Sequence, residues 1–315
     1  MTVADRRRGF LGGTDIAAII GVSPWRSPLD VWLDKTGRAE QRETNYAMRR
    51  GTRLEALLLD EFGRRHPEYR VSRPRKPVVR DNAGFPAGAS LDGLAYPKAS
   101  RKAAAVLEAK TAFGSWKAFR GRDLPDQYWV QVQWYLWVTG LPVAYVIADT
   151  GAWDVKEITI EPDGEVQQRL VDEGRRFWVD YVMADTPPPP APGHPSDLQA
   201  LGVAYRETTD DVLELPDDVT RLVAAYVDEQ RAKAEHEARL DELKATIAAA
   251  MGPHTKARGG SYEISWAPQT RMSVDTKALK AAHPDIAEQF TRTTESRVLR
   301  IRTGGGGHDE RDANG

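Results

Sequence analysis

The 315-residue sequence contains no cysteine. That excludes a disulfide framework, a thiolate zinc site and an iron–sulfur cluster. It fits a reducing, cytosolic setting, which is the default expectation. No apolar run approaches the ~20 residues that a membrane-spanning helix requires. The opening MTVADRRRGF lacks the apolar stretch of a secretory signal. The six histidines, at 66, 194, 236, 254, 283 and 308, show no ligand-like pairing and are assigned no role. No internal repeat is evident either.

What is present is a soluble-type composition, 41% hydrophobic and 29% charged, with enough length for a large core or two domains. The net charge of −2 hides an asymmetry. Residues 1–150 carry 24 Lys+Arg against 16 Asp+Glu, a balance of +8, and the remainder carries 20 against 30, a balance of −10. A basic first half suits a polyanionic partner, although chance clustering would produce the same numbers.

DTPPPPAPGHPSD, 185–197, is the strongest punctuation. Four consecutive prolines cannot continue a helix and favour a stiff polyproline II spacer, so a boundary is expected there. Residues 1–184 then form one domain and 198–302 a second region. The apolar-free tail, 303–315, is expected to be disordered. Within the first region GGTDIAAIIG reads as a short helix with Thr14 as N-cap and Gly21 as its stop. Longer helices are predicted at 46–65, about 125–139 and 163–184. Strands are predicted at 76–80, 85–94, 103–111, 143–149 and 153–160. Beyond the prolines, a long exposed or partner-seeking helix is predicted at 217–251, with strands at 260–267 and 296–302 flanking a helix at 276–289.

The chemistry concentrates in VLEAKTAF, 106–113. Glu108 and Lys110 stand two residues apart on a predicted strand, hence on one face, inside an apolar setting that ordinarily rejects charge. Asp92, in GASLDG, is separated from Glu108 by 15 residues and can converge with it across neighbouring strands. Two carboxylates with the backbone carbonyl of Ala109 make an oxygen cage suited to Mg²⁺. Lys110 can hold and activate a metal-bound water or stabilise phosphate charge. Glu55, on the helix of RGTRLEALLLDEF, offers a third carboxylate. Read singly, each has a plain alternative: a solvated helix residue, a turn former, a same-face ion pair. Trp129, Trp134 and Trp137 read as core or interface.

These motifs, in order RRGFLGGTDIAAIIGVSPW (7–25), RGTRLE (50–55), GASLDG (88–93), LEAK (107–110) and YWVQVQWYLWVTG (128–140), resemble the lambda-exonuclease-like, YqaJ-type viral recombinases. That family lies within the PD-(D/E)xK nuclease superfamily, and the resemblance covers about residues 5–183. The sequence departs from the superfamily pattern in Leu91, where Pro precedes the acid, and in Thr14-Asp15, where Ser-Asp or Ser-Glu is usual. Neither change removes a metal-binding or hydroxyl group.

The resemblance implies an α/β, restriction-endonuclease-like core with a mixed central sheet flanked by helices, here with a C-terminal helical and β extension. It implies that Glu55, Asp92 and Glu108, with Ala109, surround one or two Mg²⁺ or Mn²⁺ ions, and that Lys110 serves the attacking water. It further implies a 5′-phosphate and DNA-binding set of Arg7 (or Arg8), Thr14, Ser90, Tyr128 and Gln131. The activity implied is 5′ to 3′ resection of linear double-stranded DNA ends. A ring-shaped homo-oligomer and a single-strand annealing partner, acting in the cytoplasm of a bacterial host during phage-type recombination, follow from the same resemblance. Two other readings share the fold: a restriction-type endonuclease and a non-catalytic DNA-binding or assembly protein. A cluster-bearing, CRISPR-associated exonuclease is disfavoured by the absence of cysteine.

Overall fold

The computed structural model describes residues 8–39, 46–80, 83–111, 124–151, 154–291 and 297–301. The chain divides into two compact units, Met1–Thr208 and Thr209–Gly315. The first is built on a five-stranded mixed sheet. Its strands are β1 (Tyr69–Ser72), β4 (Gly93–Pro97), β5 (Ala105–Thr111), β6 (Ala144–Asp149) and β7 (Lys156–Ile160), in that spatial order. Only β5 and β6 are parallel, with Glu108 opposite Val146. Parallel neighbours need a crossover, and the helix Asp126–Thr139 supplies it. A separate two-stranded ribbon pairs β2 (Val78–Arg80) with β3 (Ala87–Ala89).

Helices cover both faces. Alternation along β5 assigns the sides: Ala105, Leu107 and Ala109 join one core cluster, while Val106 joins the other. The first cluster is closed by Leu58, Leu59 and Phe62 of α3 (Tyr46–Arg65). The second, larger core gathers α1 (Gly13–Ile19), α2 (Pro28–Lys35), the crossover helix α4 (Asp126–Thr139) and α5 (Gly164–Phe177). α4 is apolar on nearly every side because it is enclosed by the sheet, α1, α5 and the ribbon. Gly140 ends it in the left-handed conformation, at φ 68°. Trp134 is fully buried and donates its indole N–H to the Gly88 carbonyl, as a core role requires.

Several boundaries differ from the sequence expectation. Thr14 is exposed and does not cap α1; Gly12 is the N-cap, and Asp15 turns back to accept the Gly12 N–H at 2.9 Å. The strand expected over 85–94 is two strands, β3 and β4, separated by a turn that contains Ser90, Leu91 and Asp92. The predicted strand 76–80 is β2, shorter by two residues. α2 and β1 were not anticipated. α2 is set by Ser27 and Asp30, which form a reciprocal capping box around Pro28 at the first helical position. The helix expected over 163–184 closes in a π-helical turn, Trp178–Met183.

The break expected at residue 185 falls inside the first unit, Met1–Thr208. The proline-rich segment lies against the first unit: His194 Nε2 is 3.3 Å from the Ser23 carbonyl, and Ser196 donates its hydroxyl to Asp30. A further helix, α6 (Asp197–Ala204), packs on α2 and buries Ala200. Prolines suit such a strap because they leave few backbone donors to satisfy.

In the second unit the long helix forms as expected, α7 (Asp217–Met251), with Leu222, Tyr226, Leu240, Leu243 and Ile247 exposed. The predicted strand at 260–267 is a hairpin, β8 (Lys256–Gly259) with β9 (Tyr262–Ser265), turning at Gly260. The helix at 276–289 is broken by Pro284 into α8 (Thr276–Ala282) and α9 (Pro284–Phe290). The strand expected at 296–302 is absent from 297–301, and 296 and 302 lie outside the described residues, as does the tail from 303. Among the described residues no helix is long and apolar enough to cross a membrane.

Candidate active site

The register of the β4–β5 pair builds the site. Gly93 stands opposite Leu107, so Asp92 and Glu108 are brought side by side one step further along. Asp92 accepts the backbone N–H of Ala109 at 2.9 Å, which fixes the carboxylate beside β5. Ala109 therefore enters the site through its amide hydrogen.

Glu108 and Lys110 share the face of β5 turned toward α4. Glu108 is buried, 2% exposed, and its Oε1 accepts from Lys110 Nζ at 2.6 Å and from Gln131 Nε2 at 2.8 Å. Its Oε2 is buried and, among the described residues, accepts no hydrogen bond. Burial pushes the Glu108 carboxyl up to about 8, the Asp92 charge adds to the shift, and Lys110 opposes it. For Lys110, burial works against the charge, but Glu108 outweighs it and holds the pKa above the usual lysine value. Lys110 is therefore an ammonium, a donor and not a proton acceptor.

Gln131 is the hub on α4. Its carbonyl oxygen accepts from Lys110 at 3.0 Å, and its amide also donates to the Tyr135 hydroxyl at 2.8 Å. Tyr128, one turn earlier, lays its ring 4.4 Å from the Lys110 ammonium, a cation–π contact. Gly13 of α1 fits against this hub. A Cβ there would come within 2.9 Å of the Gln131 side chain and carbonyl, so only glycine lets α1 approach so closely. The second glutamine of the motif, Gln133, is structural: it bonds the Glu161 carbonyl, the Asp163 N–H and Gln167, tying α4 to the start of α5.

The other expected residues are distributed less tightly. Glu55 is half-buried on α3, in the layer on the opposite face of the sheet. Gly51, one turn before it, approaches Thr111 at the end of β5. Among the described residues no three His, Asp or Glu side chains close on one another as a preformed metal cage, so the Glu55–Asp92–Glu108 trio is not gathered here. Ser90 is half-buried in the turn before Asp92, and Thr14 is exposed on the first turn of α1. Arg7 lies outside the described residues. Arg8 faces Asp34 at 3.6 Å, with its Nε buried and, among the described residues, without a hydrogen-bond partner.

The residues present fit a hard divalent cation. An acceptor oxygen of Glu108 is buried and unsatisfied beside a second carboxylate, and a cation would satisfy both. Sequence reasoning missed two features around this centre. One is a charged brace, Asp15 held by Arg26 at 2.7 Å and by the buried Lys35 at 2.8 Å. The other is Trp25, exposed beside Tyr128; an aromatic following proline in the polar SPW turn was its one visible signal.

The mixed sheet with helices on both faces is a restriction-endonuclease-like core, with Asp92 in the turn that enters β4 and Glu108 and Lys110 on the adjacent β5. Residues 3–142 match the YqaJ-like viral recombinase domain, which bears out the resemblance carried by the motifs. The uncharacterized protein YqaJ of Bacillus subtilis (strain 168) is 28% identical over 303 residues, spanning 95% of this chain and 92% of that protein. Among solved structures, the alkaline exonuclease LHK-Exo from Laribacter hongkongensis is 20% identical. It covers 57% of this chain and 90% of its own, with a TM-score of 0.46. A phage-related exonuclease from Haemophilus somnus 129PT is 11% identical, with 59% and 100% covered and a TM-score of 0.41.

Proposed function

We propose that this protein is a divalent-metal-dependent exodeoxyribonuclease that resects linear double-stranded DNA from 5′ ends, leaving 3′ single-stranded overhangs for phage-type recombination. The observation that carries the reading is the buried, unsatisfied Glu108 oxygen beside Asp92, with the Lys110 ammonium on the same carboxylate. The YqaJ-like viral recombinase domain supports it independently. Asp92 and Glu108, with Glu55 of α3, are the residues that would hold Mg²⁺ or Mn²⁺. The bound cation supplies Lewis-acid stabilisation of charge on the scissile phosphate.

The chain's own groups do the remaining work. Glu108 and Gln131 aim Lys110, whose remaining N–H bonding capacity can fix the attacking water or neutralise a phosphate oxygen. Tyr128 covers one side of the ammonium and keeps bulk water from it. A 5′-phosphate pocket from Arg7 or Arg8, Thr14, Ser90 and Gln131 would confer dependence on a DNA end. A ring-shaped homo-oligomer, an annealing partner and a bacterial cytoplasmic setting belong to the same proposal.

The test is digestion of linear duplexes carrying 5′-phosphate, 5′-hydroxyl or blocked ends, and of closed circular DNA, with and without Mg²⁺. Resection confined to linear DNA with a free 5′-phosphate, and lost on metal removal, is expected. Lys110→Ala and Asp92→Ala should each lower the rate by about a thousandfold or more. Near wild-type resection by either variant would overturn the assigned centre, and cutting of closed circles would make the protein an endonuclease.

A further inference from the structure

Beyond this activity, and resting on it, we infer that Trp25 is a stacking platform for a DNA base beside the Lys110 site. Trp25 is 57% exposed, yet its ring lies against Tyr128, centroids 6.0 Å apart and planes 31° from parallel. The same Tyr128 ring carries the Lys110 ammonium at 4.4 Å. A single aromatic ring therefore separates an exposed indole from the group that meets the scissile phosphate. Each phosphate in a DNA strand is flanked by bases within one nucleotide's reach. A strand whose phosphate meets Lys110 thus brings a base to the indole.

Isolated exposed aromatics are ordinary on protein surfaces. This one differs in being held. Ser23 Oγ accepts the backbone N–H of Trp25 at 3.3 Å and that of Arg26 at 3.2 Å. Arg26 is clamped by Asp15 at 2.7 Å and lies 3.7 Å from Asp34, and Ser27 caps α2 immediately after. His194 of the proline-rich strap braces the Ser23 carbonyl. The turn is thus fixed on both sides while its largest apolar side chain stays in water. With its backbone fixed and its ring against Tyr128, the indole has less entropy to lose on binding, and a flat partner recovers its hydration cost. Every base presents a π-face, so the contact suits an enzyme that must read through any sequence.

The test couples protein and DNA changes in the full-length protein. Linear duplexes would carry one abasic nucleotide at the first, second or third position from the reacting 5′ end. On intact DNA, Trp25→Ala should raise KM about tenfold and change kcat less than about threefold, and Trp25→Phe should restore most of the loss. At one of the three positions, base removal should raise the wild-type KM by a similar factor and add nothing to Trp25→Ala. Trp25→Leu, which keeps apolar bulk without a flat ring, should behave as Trp25→Ala and guards against a fold defect. Additive losses at all three positions, or an unchanged KM in Trp25→Ala, would overturn the inference while leaving the nuclease intact. A wild-type protein inactive on every linear duplex, with or without metal, would remove the nuclease reading and this one together.

Discussion

At Glu108, burial and the neighbouring Asp92 oppose ionisation while Lys110 favours it, and the carboxyl is pushed up to about 8. A cation held there must displace the proton, so its affinity is linked to pH. The expected result is Mg²⁺ affinity that rises about tenfold per pH unit below about 8 and levels above it, measured by calorimetric titration. Glu108→Gln should abolish the slope. For the metal-free protein the sign is opposite. A carboxyl whose folded pKa is raised favours folding below its ordinary value near 4.5, and this contribution is lost as pH rises through 8. Thermal unfolding without metal should therefore show falling stability over that window, relieved by Mg²⁺ or by Glu108→Gln. The residues of this centre were legible because charge in an apolar strand is chemically conspicuous. Trp25 was not, since only the fold brings it against Tyr128.

Among the elements, α1 shows how a short helix can be positioned by charge. Asp15 is buried, and burial alone would raise its carboxyl pKa. Lys35 and Arg26 outweigh that and hold it below the ordinary carboxylate value. A depressed acid stabilises the fold above its ordinary pKa of 3.8, and that stability is lost as pH falls through the folded value. Asp15→Asn would remove the carboxylate that lies 2.8 Å from Lys35, whose side chain is 1% exposed. We expect about 3–5 kcal/mol of destabilisation at neutral pH, read by denaturant unfolding, with the gap to wild type closing in acid. Elements with strong periodicity or clear stops, α3, α4 and α7, could be read from sequence almost to the residue. Those defined by tertiary pairing could not. β3 and β4 part at Asp92, where the chain leaves the β2 ribbon and joins the main sheet, and no local signal marks that transfer. The Thr14 cap failed because Asp15 is committed to the Gly12 amide.

For the whole molecule, composition puts the division at 185, whereas the two compact units divide between Thr208 and Thr209. Proline marks backbone that cannot continue a helix, but it does not say whether that backbone is packed or free. Here Pro188 and Ala200 are buried, and the strap returns to Ser23 and Asp30. A protein ending at Thr208 should fold with a Tm close to that of the first unit in the full chain. One ending at Ala184 should melt about 4–8 °C lower, equivalent to about 2 kcal/mol of lost packing. Differential scanning calorimetry of the two truncated proteins decides between the boundaries; equal melting temperatures would restore the break at 185.

The bond from the Ala109 amide to Asp92 has a further use as a spectroscopic handle. This backbone proton is committed to a carboxylate, so its chemical shift responds to whatever charge that carboxylate meets. In a ¹⁵N-labelled sample the Ala109 resonance would follow occupancy of the centre without substrate, turnover or an added label.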